Sequence, residues 1–194
     1  MANSPSAQAE PRSRTSPHRG IITAGIPSIL VIVEFGSFAC RYCREFQDSI
    51  YPELKEHYLE AGKARFRFVS IDSAAPLVRL SAWAACAAGE HGLEAAVREG
   101  FAFFSANRNG LLHPDQGFLG LPAGGLSSCV QSEAGPRLEE ARAARLLGVQ
   151  AVPTFVVGLS DSSGHMVGWV VEGMYRARLD STIRAAVELL QAGE

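Results

Sequence analysis

Ile29-Leu-Val-Ile-Val-Glu-Phe-Gly-Ser-Phe-Ala-Cys-Arg-Tyr-Cys43 decides how this chain is read. Residues 29–35 are almost continuously apolar and β-branched, and Gly36 follows, which predicts a buried parallel strand. Beyond it, Phe46, Ile50, Leu54 and Tyr58 recur every four residues, which predicts a helix from Cys40 to about Glu60. Pro52 should kink that helix and Ala61-Gly62 should end it. The two cysteines therefore stand at a helix N-terminus, where the first N–H groups lack partners and the macrodipole favours negative charge. A thiol placed there has its pKa lowered from about 8.5 towards or below neutrality, and the thiolate is the nucleophile. Arg41 and Arg44 add positive charge in the same turn. Cys40 reads as the attacking thiol and Cys43, one turn in, as the resolving one.

Working outward, Arg65–Ile71 alternates polar and apolar residues and predicts a second strand. From Ala74 to Gly148 the texture is helical. Ala75–Ala88 carries Leu77, Leu80, Trp83 and Ala84, and Leu93–Ala106 carries Val97, Phe101 and Phe104. Asn107 to Gly125 is rich in glycine and contains His113-Pro114, so it reads as loop. Arg137–Leu147 reads as a helix entered after Pro136 and closed by Gly148. Thr154–Val157 and Met166–Glu172, the latter after the turn Asp161-Ser-Ser-Gly164, predict a hairpin, and Leu179–Leu190 a last amphipathic helix. The order is β-α-β, a helical block, then β-β-α.

The chain has 194 residues and a formal net charge of −2, which argues against a nucleic-acid-binding surface. No apolar run reaches the roughly 18–20 residues of a membrane span. Four cysteines permit two disulfides and favour an oxidising compartment. Residues 1–25 open with a stretch rich in Ser, Pro and Arg that holds no signal-peptide h-region. They are expected to be a disordered linker, left after a signal or anchor was removed or joining another domain.

A lone CxxC can be a redox dithiol, half of a zinc site or an accident of sequence. Structural zinc usually needs a second ligand pair. Cys86 and Cys129 are isolated from each other and have no histidine at finger spacing. The strand-then-helix setting therefore favours the redox dithiol, with no metal and no cofactor. Val152-Pro153-Thr154 is the second element: a proline just before an apolar strand suits a cis bond. Cis geometry would turn the Val152 backbone towards the dithiol, where an extended substrate can pair with it. The alternative is a trans proline opening an edge strand. Glu34 is the third. An acid within an apolar strand must be neutral, paired or functional. Beneath the helix and near Cys43, it is placed to take and return the proton of the resolving thiol. Its bland alternative is a solvated acid or a salt bridge to Arg65 or Arg67.

Glu34-Phe-Gly-Ser-Phe-Ala-Cys-Arg-Tyr-Cys43 resembles the active-site segment of the DsbA-like branch of the thioredoxin superfamily. Gly148-Val-Gln-Ala-Val-Pro-Thr-Phe-Val156 resembles its cis-proline segment, and the stretches Trp83–Gly92 and Cys129-Val-Gln-Ser132 its inserted helical region. The resemblance runs from about Ile29 to the C-terminus. It implies an α/β thioredoxin fold, residues 26–73 and 149–194, interrupted by a helical domain over 74–148. It implies further that Cys40 and Cys43 carry the reaction, that Glu34 is the buried acid and that Pro153 is cis. Val152, Pro153, Arg41 and Tyr42 become candidates for substrate contact. Cys86 and Cys129 can each be a small buried hydrophobe, or can pair across the insertion as in some relatives.

The function this implies is a thiol–disulfide oxidoreductase that oxidises thiols of exported, unfolded or reduced proteins. Recycling would fall to a membrane redox partner of the quinone-linked oxidase type, and the compartment would be periplasmic or otherwise extracytoplasmic, with the chain free or tethered. The same residues run in reverse make a reductase or isomerase, and the Arg41-Tyr42 dipeptide, which lacks the histidine of the strongest oxidants, does not choose. From a different class comes a non-catalytic module whose CxxC holds a metal or serves as a redox switch. The histidines, His18, His57, His91, His113 and His165, share no metal-site spacing, and Phe101, Phe103 and Phe104 read as core.

Overall fold

The computed structural model describes residues 29–107 and 127–192. The segment 1–25 expected to be a linker, and the expected loop beyond Asn107 with its His113, lie outside the described residues. Four strands, β1 (Ile29–Gly36), β2 (Ala64–Ser70), β3 (Thr154–Ser160) and β4 (Met166–Glu172), form one sheet in the order β2-β1-β3-β4. β2 runs parallel to β1, whereas β3 is antiparallel to β1 and to β4. A parallel pair needs a crossover. Here it is made by α1 (Arg41–Ser49), α2 (Tyr51–Leu54) and a π-helical turn at Lys55–Leu59.

The single kinked helix expected over 40–60 is thus three pieces. Pro52 lies in the first turn of α2, where a missing N–H costs nothing, so it starts a helix instead of bending one. The π-turn is closed by the Glu60 N–H on the Lys55 carbonyl at 3.0 Å. β1 also differs from a continuously buried strand. Leu30, Ile32, Glu34 and Gly36 are buried on one face, and the residues between them are half-buried. β3 runs three residues past the expected Val157, because it pairs on both sides as far as Ser160.

Helices α3 (Ala75–His91), α4 (Leu93–Ala106) and α5 (Ser127–Leu146) follow β2, and α6 (Arg176–Ala192) closes the chain. α5 begins ten residues before the expected Arg137 and passes straight through Pro136. Tertiary context overrides the local penalty here. Val130 is buried in the helical core, Cys129 is bonded to α3, and Arg137 reaches back across the proline to Glu133 at 3.1 Å. α6 gains a turn over the expected Leu179 start, and Arg176 in that turn pairs with Glu53 of α2.

Two apolar cores result. One joins the sheet to α1, α2 and α6 through Leu30, Ile32, Phe46, Phe155, Leu179 and Ile183. The other fills the helical block with Leu80, Trp83, Ala87, Val97, Phe101 and Val130. Phe103 and Phe104 pack against its margin. Phe38 and Cys43 belong to this second core, while Phe46, one turn along α1, belongs to the first. The CxxC segment therefore sits where the two cores meet.

Candidate active site

Cys40 is the N-cap of α1, with extended backbone (φ −86°, ψ 118°). Its sulfur accepts the Cys43 N–H at 3.3 Å, and its thiol donates to the Val152 carbonyl at 3.6 Å. Both cysteines are free thiols: Cys40 is half-buried and Cys43 fully buried. Of the two sulfurs, only that of Cys40 is accessible to a partner sulfur.

The thiol pair holds its proton unevenly. The hydrogen bond from the Cys43 thiol, helped by the Cys43 and Tyr42 N–H groups, lowers Cys40 to about 6 against the opposing effect of burial. Cys43 is pushed up by the same bond, by burial and by the charge of Glu34. The helix terminus thus acts through directed donors, as its geometry requires. The flanking arginines make contacts of their own. Arg44 donates to Ser105 Oγ at 2.8 Å and meets Asp48 at 3.5 Å, and Arg41 lies 4.9 Å over the Tyr42 ring. Tyr42 is 49% exposed.

Glu34 is fully buried. Gln47 Nε2 donates to its Oε2 at 2.7 Å, and Oε1 has no partner among the described residues. Burial, more than any other influence, holds its carboxyl well above the usual range, with the charge of Cys40 acting in the same direction and Gln47 against it. Among the described residues no arginine pairs with it: Arg67 pairs instead with Glu140 of α5 at 2.5 Å. Gly36 leaves the space for this arrangement, since a Cβ there would lie 2.5 Å from the Phe68 ring and 3.3 Å from Glu34 Oε1.

Opposite the dithiol, the Val152–Pro153 peptide is cis. The segment is pinned on both sides: Thr154 Oγ1 donates to the Ala151 carbonyl at 2.8 Å and the Gly173 N–H to the Pro153 carbonyl at 2.8 Å. It follows directly from Gly148, whose positive φ of 89° lets the chain turn out of α5. Cys86 and Cys129 are joined by a disulfide that ties α3 to α5.

Three contributors were not singled out from the sequence. Gln47 stands four residues after Cys43, a helical spacing that puts both on one side of α1. Ser37 and Asp72 lie 35 residues apart and are joined by an Oγ–Oδ1 hydrogen bond of 2.7 Å. The signal for that pair is the parallel register, Gly36 beside Ser70, which brings Asp72 level with Phe38.

Two cavities, of about 540 Å³ and 390 Å³, lie around Tyr51, Phe66 and His91 and between β2 and the helical block. Cys40 lines neither. Among the described residues no three His, Cys, Asp or Glu side chains gather as metal ligands, and no helix is long and apolar enough to cross a membrane.

The family model described as thioredoxin matches residues 22–165. A probable disulfide bond formation protein D of Bacillus cereus is 36% identical over 59 residues, 30% of this chain and 26% of that protein. The corresponding Bacillus subtilis protein is 31% identical over 42 residues, 22% of this chain and 19% of its own length. These alignments thus span about a quarter or less of the curated relatives. Among solved structures, Wolbachia pipientis alpha-DsbA1 superimposes with a TM-score of 0.63 at 14% identity, covering 88% of this chain and 94% of that one. BdbD from Bacillus subtilis gives 0.58 at 17% identity, with 84% and 94% covered. The shared architecture is the DsbA one, a thioredoxin fold with helices inserted between β2 and β3. Since the matched stretch takes in most of the chain and every segment that meets at Cys40, the chain belongs to the thioredoxin family.

Proposed function

We propose that the protein is a thiol–disulfide oxidoreductase that donates its Cys40–Cys43 disulfide to thiols of exported proteins. The observation that carries this is the unequal dithiol: an accessible Cys40 lowered to about 6 beside a buried, protonated Cys43. Stabilising the Cys40 thiolate stabilises the reduced pair, which makes the oxidised pair a better oxidant. A substrate thiolate attacks Cys40, forming a mixed disulfide, and Cys43 leaves and takes a proton from the Glu34 carboxyl. A second substrate thiolate then attacks the substrate sulfur and expels Cys40 as a thiolate. The substrate loses two electrons and the pair gains them.

The cis Val152–Pro153 segment, facing Cys40 through the Val152 carbonyl, supports backbone pairing with an extended substrate. Arg41 and Tyr42 flank the attack site. A half-buried Cys40 that lines neither of these two cavities suits a polypeptide substrate better than a small molecule. The reduced enzyme would be reoxidised by a membrane partner of the quinone-linked type, in the periplasm or another extracytoplasmic space. The N-terminal 1–25 would serve as linker or tether. Domain 26–73 with 149–194 would do the chemistry, and 74–148 would cover Cys43.

The test is equilibration of the Cys40–Cys43 pair in glutathione buffers, with reduced and oxidised protein counted by alkylation. A potential near about −120 mV is expected of a disulfide donor, and one near about −270 mV would instead make it a reductase. Stoichiometric zinc or copper in the reduced protein would favour a binding module instead.

Glu34→Gln separates the acid's two effects. Folding raises this carboxyl's pKa, so its contribution to stability is greatest below the unfolded value and is lost as pH rises towards the folded one. At neutral pH the variant should therefore be more stable, by about 1–3 kcal/mol. Reduction of its disulfide by a thiol substrate should be slower by about a hundredfold, for want of a proton donor. Stopped-flow kinetics and urea denaturation read the two effects, and an unslowed variant would remove Glu34 from the mechanism.

A further inference from the structure

Asp72, just past the end of β2, has no role in the scheme above, yet its carboxylate is the most heavily bonded side chain near the dithiol. Ser37 Oγ donates to Oδ1 at 2.7 Å; Ser70 Oγ and the Phe38 N–H donate to Oδ2 at 2.8 and 3.3 Å. Its own N–H donates to Ser70 Oγ at 3.3 Å, while Ser37 Oγ also receives the Ala39 N–H at 3.1 Å. The Ser37 carbonyl, in turn, accepts the N–H of Cys40 at 3.0 Å. The loop from Ser37 to Cys40 is therefore held from β2 through one half-buried carboxylate.

All of Asp72's donors are neutral. Arg145 of α5 spends its guanidinium on the neighbouring Ile71 carbonyl at 2.9 Å and on Ser73 Oγ at 3.2 Å. Among the described residues no Lys or Arg pairs with Asp72. Among the described residues Cys40 is also flanked on α1 by Arg41, Tyr42, Cys43 and Arg44 and lies near Glu34 of β1, and burial favours the neutral form of Cys43 and Glu34. Asp72 is thus a carboxylate beside the dithiol that has only neutral donors among the described residues.

Resting on the thiol-exchange reading, we propose that Asp72 is a positioning residue with two effects on the dithiol. It fixes the loop that aims Cys40 at Val152, and its uncompensated charge tempers the oxidising power of the pair. A fixed anion disfavours a thiolate beside it, in keeping with the upward influence of Asp72 on Cys40. Less thiolate stabilisation means a less stabilised reduced pair. The charge thereby opposes the helix-terminal donors and sets an intermediate poise.

Asp72→Asn removes the charge and keeps one acceptor oxygen, which can still take the Ser70 Oγ and Phe38 N–H donors, while its Nδ2 donates to Ser37 Oγ, a hydroxyl that can accept; Asp72→Glu keeps the charge. The Cys40 thiolate is titrated by its ultraviolet absorbance, and the dithiol is equilibrated with oxidised and reduced glutathione. In Asp72→Asn the titration midpoint should fall, and the equilibrium should move about threefold towards the reduced dithiol. Asp72→Glu should stay near the parent in both. Equal values in parent and Asp72→Asn, or the same shift in both variants, would overturn the proposal. So would the loss of far-ultraviolet circular dichroism in both, which would make Asp72 purely a scaffold residue. A parent protein that titrates normally but exchanges with no thiol substrate would instead defeat the oxidoreductase reading.

Discussion

Cys40→Ser should lose thiol exchange with a reduced protein substrate by at least about a thousandfold, because the hydroxyl replaces the only accessible sulfur of the pair. Cys43→Ser should behave differently. It keeps the attacking sulfur at the N-cap and removes the resolving one, so it should accumulate mixed disulfides at Cys40. Non-reducing electrophoresis and mass spectrometry of the adducts distinguish the two. Adducts on Cys43 in the Cys40 variant would reverse the assigned order.

The pH dependence follows from the same geometry. Alkylation of Cys40 should rise through about 6, while Cys43 stays unreactive in the folded protein. Folding lowers the Cys40 pKa, so the reduced protein gains its full stabilisation above the unfolded thiol's pKa. It loses that stabilisation as pH falls through about 6. Cys40 is partly exposed, and solvent screening trims the size of the effect. The oxidised protein, lacking the thiolate, should not show this dependence, so the stability gap between the two forms should widen with rising pH.

Replacing Cys86 and Cys129 together by alanine should be the most destabilising change outside the dithiol. Their sequence separation of 43 corresponds to about 4 kcal/mol on the chain-entropy account. The bond ties α3 to α5, the helix that carries Pro136 in its interior and ends just before the Val152–Pro153 segment. Denaturant unfolding of the parent and the double variant, with Cys40 and Cys43 held in the same redox state, measures the difference. A loss below about 1 kcal/mol would mean that Val130 and the α3 contacts hold α5 without the bond.

Much of this site is legible in the sequence. Helical periodicity and the apolar run place Cys40 at a helix start, and a charge inside that run marks Glu34 as unusual. The resemblance of the Val152-Pro153 segment points to the second wall. Legibility fails wherever a local rule meets a distant partner. Pro136 reads as a helix boundary, but the Cys129 bond and the Arg137–Glu133 pair carry α5 through it. Pro52 reads as a kink, but a break at Ile50 moves it to a helix start. Arg41 and Arg44 read as positive charge in the first turn, but their partners, the Tyr42 ring and Ser105, are not legible from that spacing.

By itself the sequence determined the dithiol, the strand and helix that present it and the acid beneath it, because each is written in spacing along a short segment. Only the tertiary structure decided what surrounds them. It placed the Val152 carbonyl against Cys40, set Gln47 against Glu34, left Arg67 to Glu140 and brought Asp72 to Ser37. Those contacts join residues on different elements, most of them far apart in the chain. They are fixed by strand register and by the packing of two cores, which no local pattern of residue types specifies.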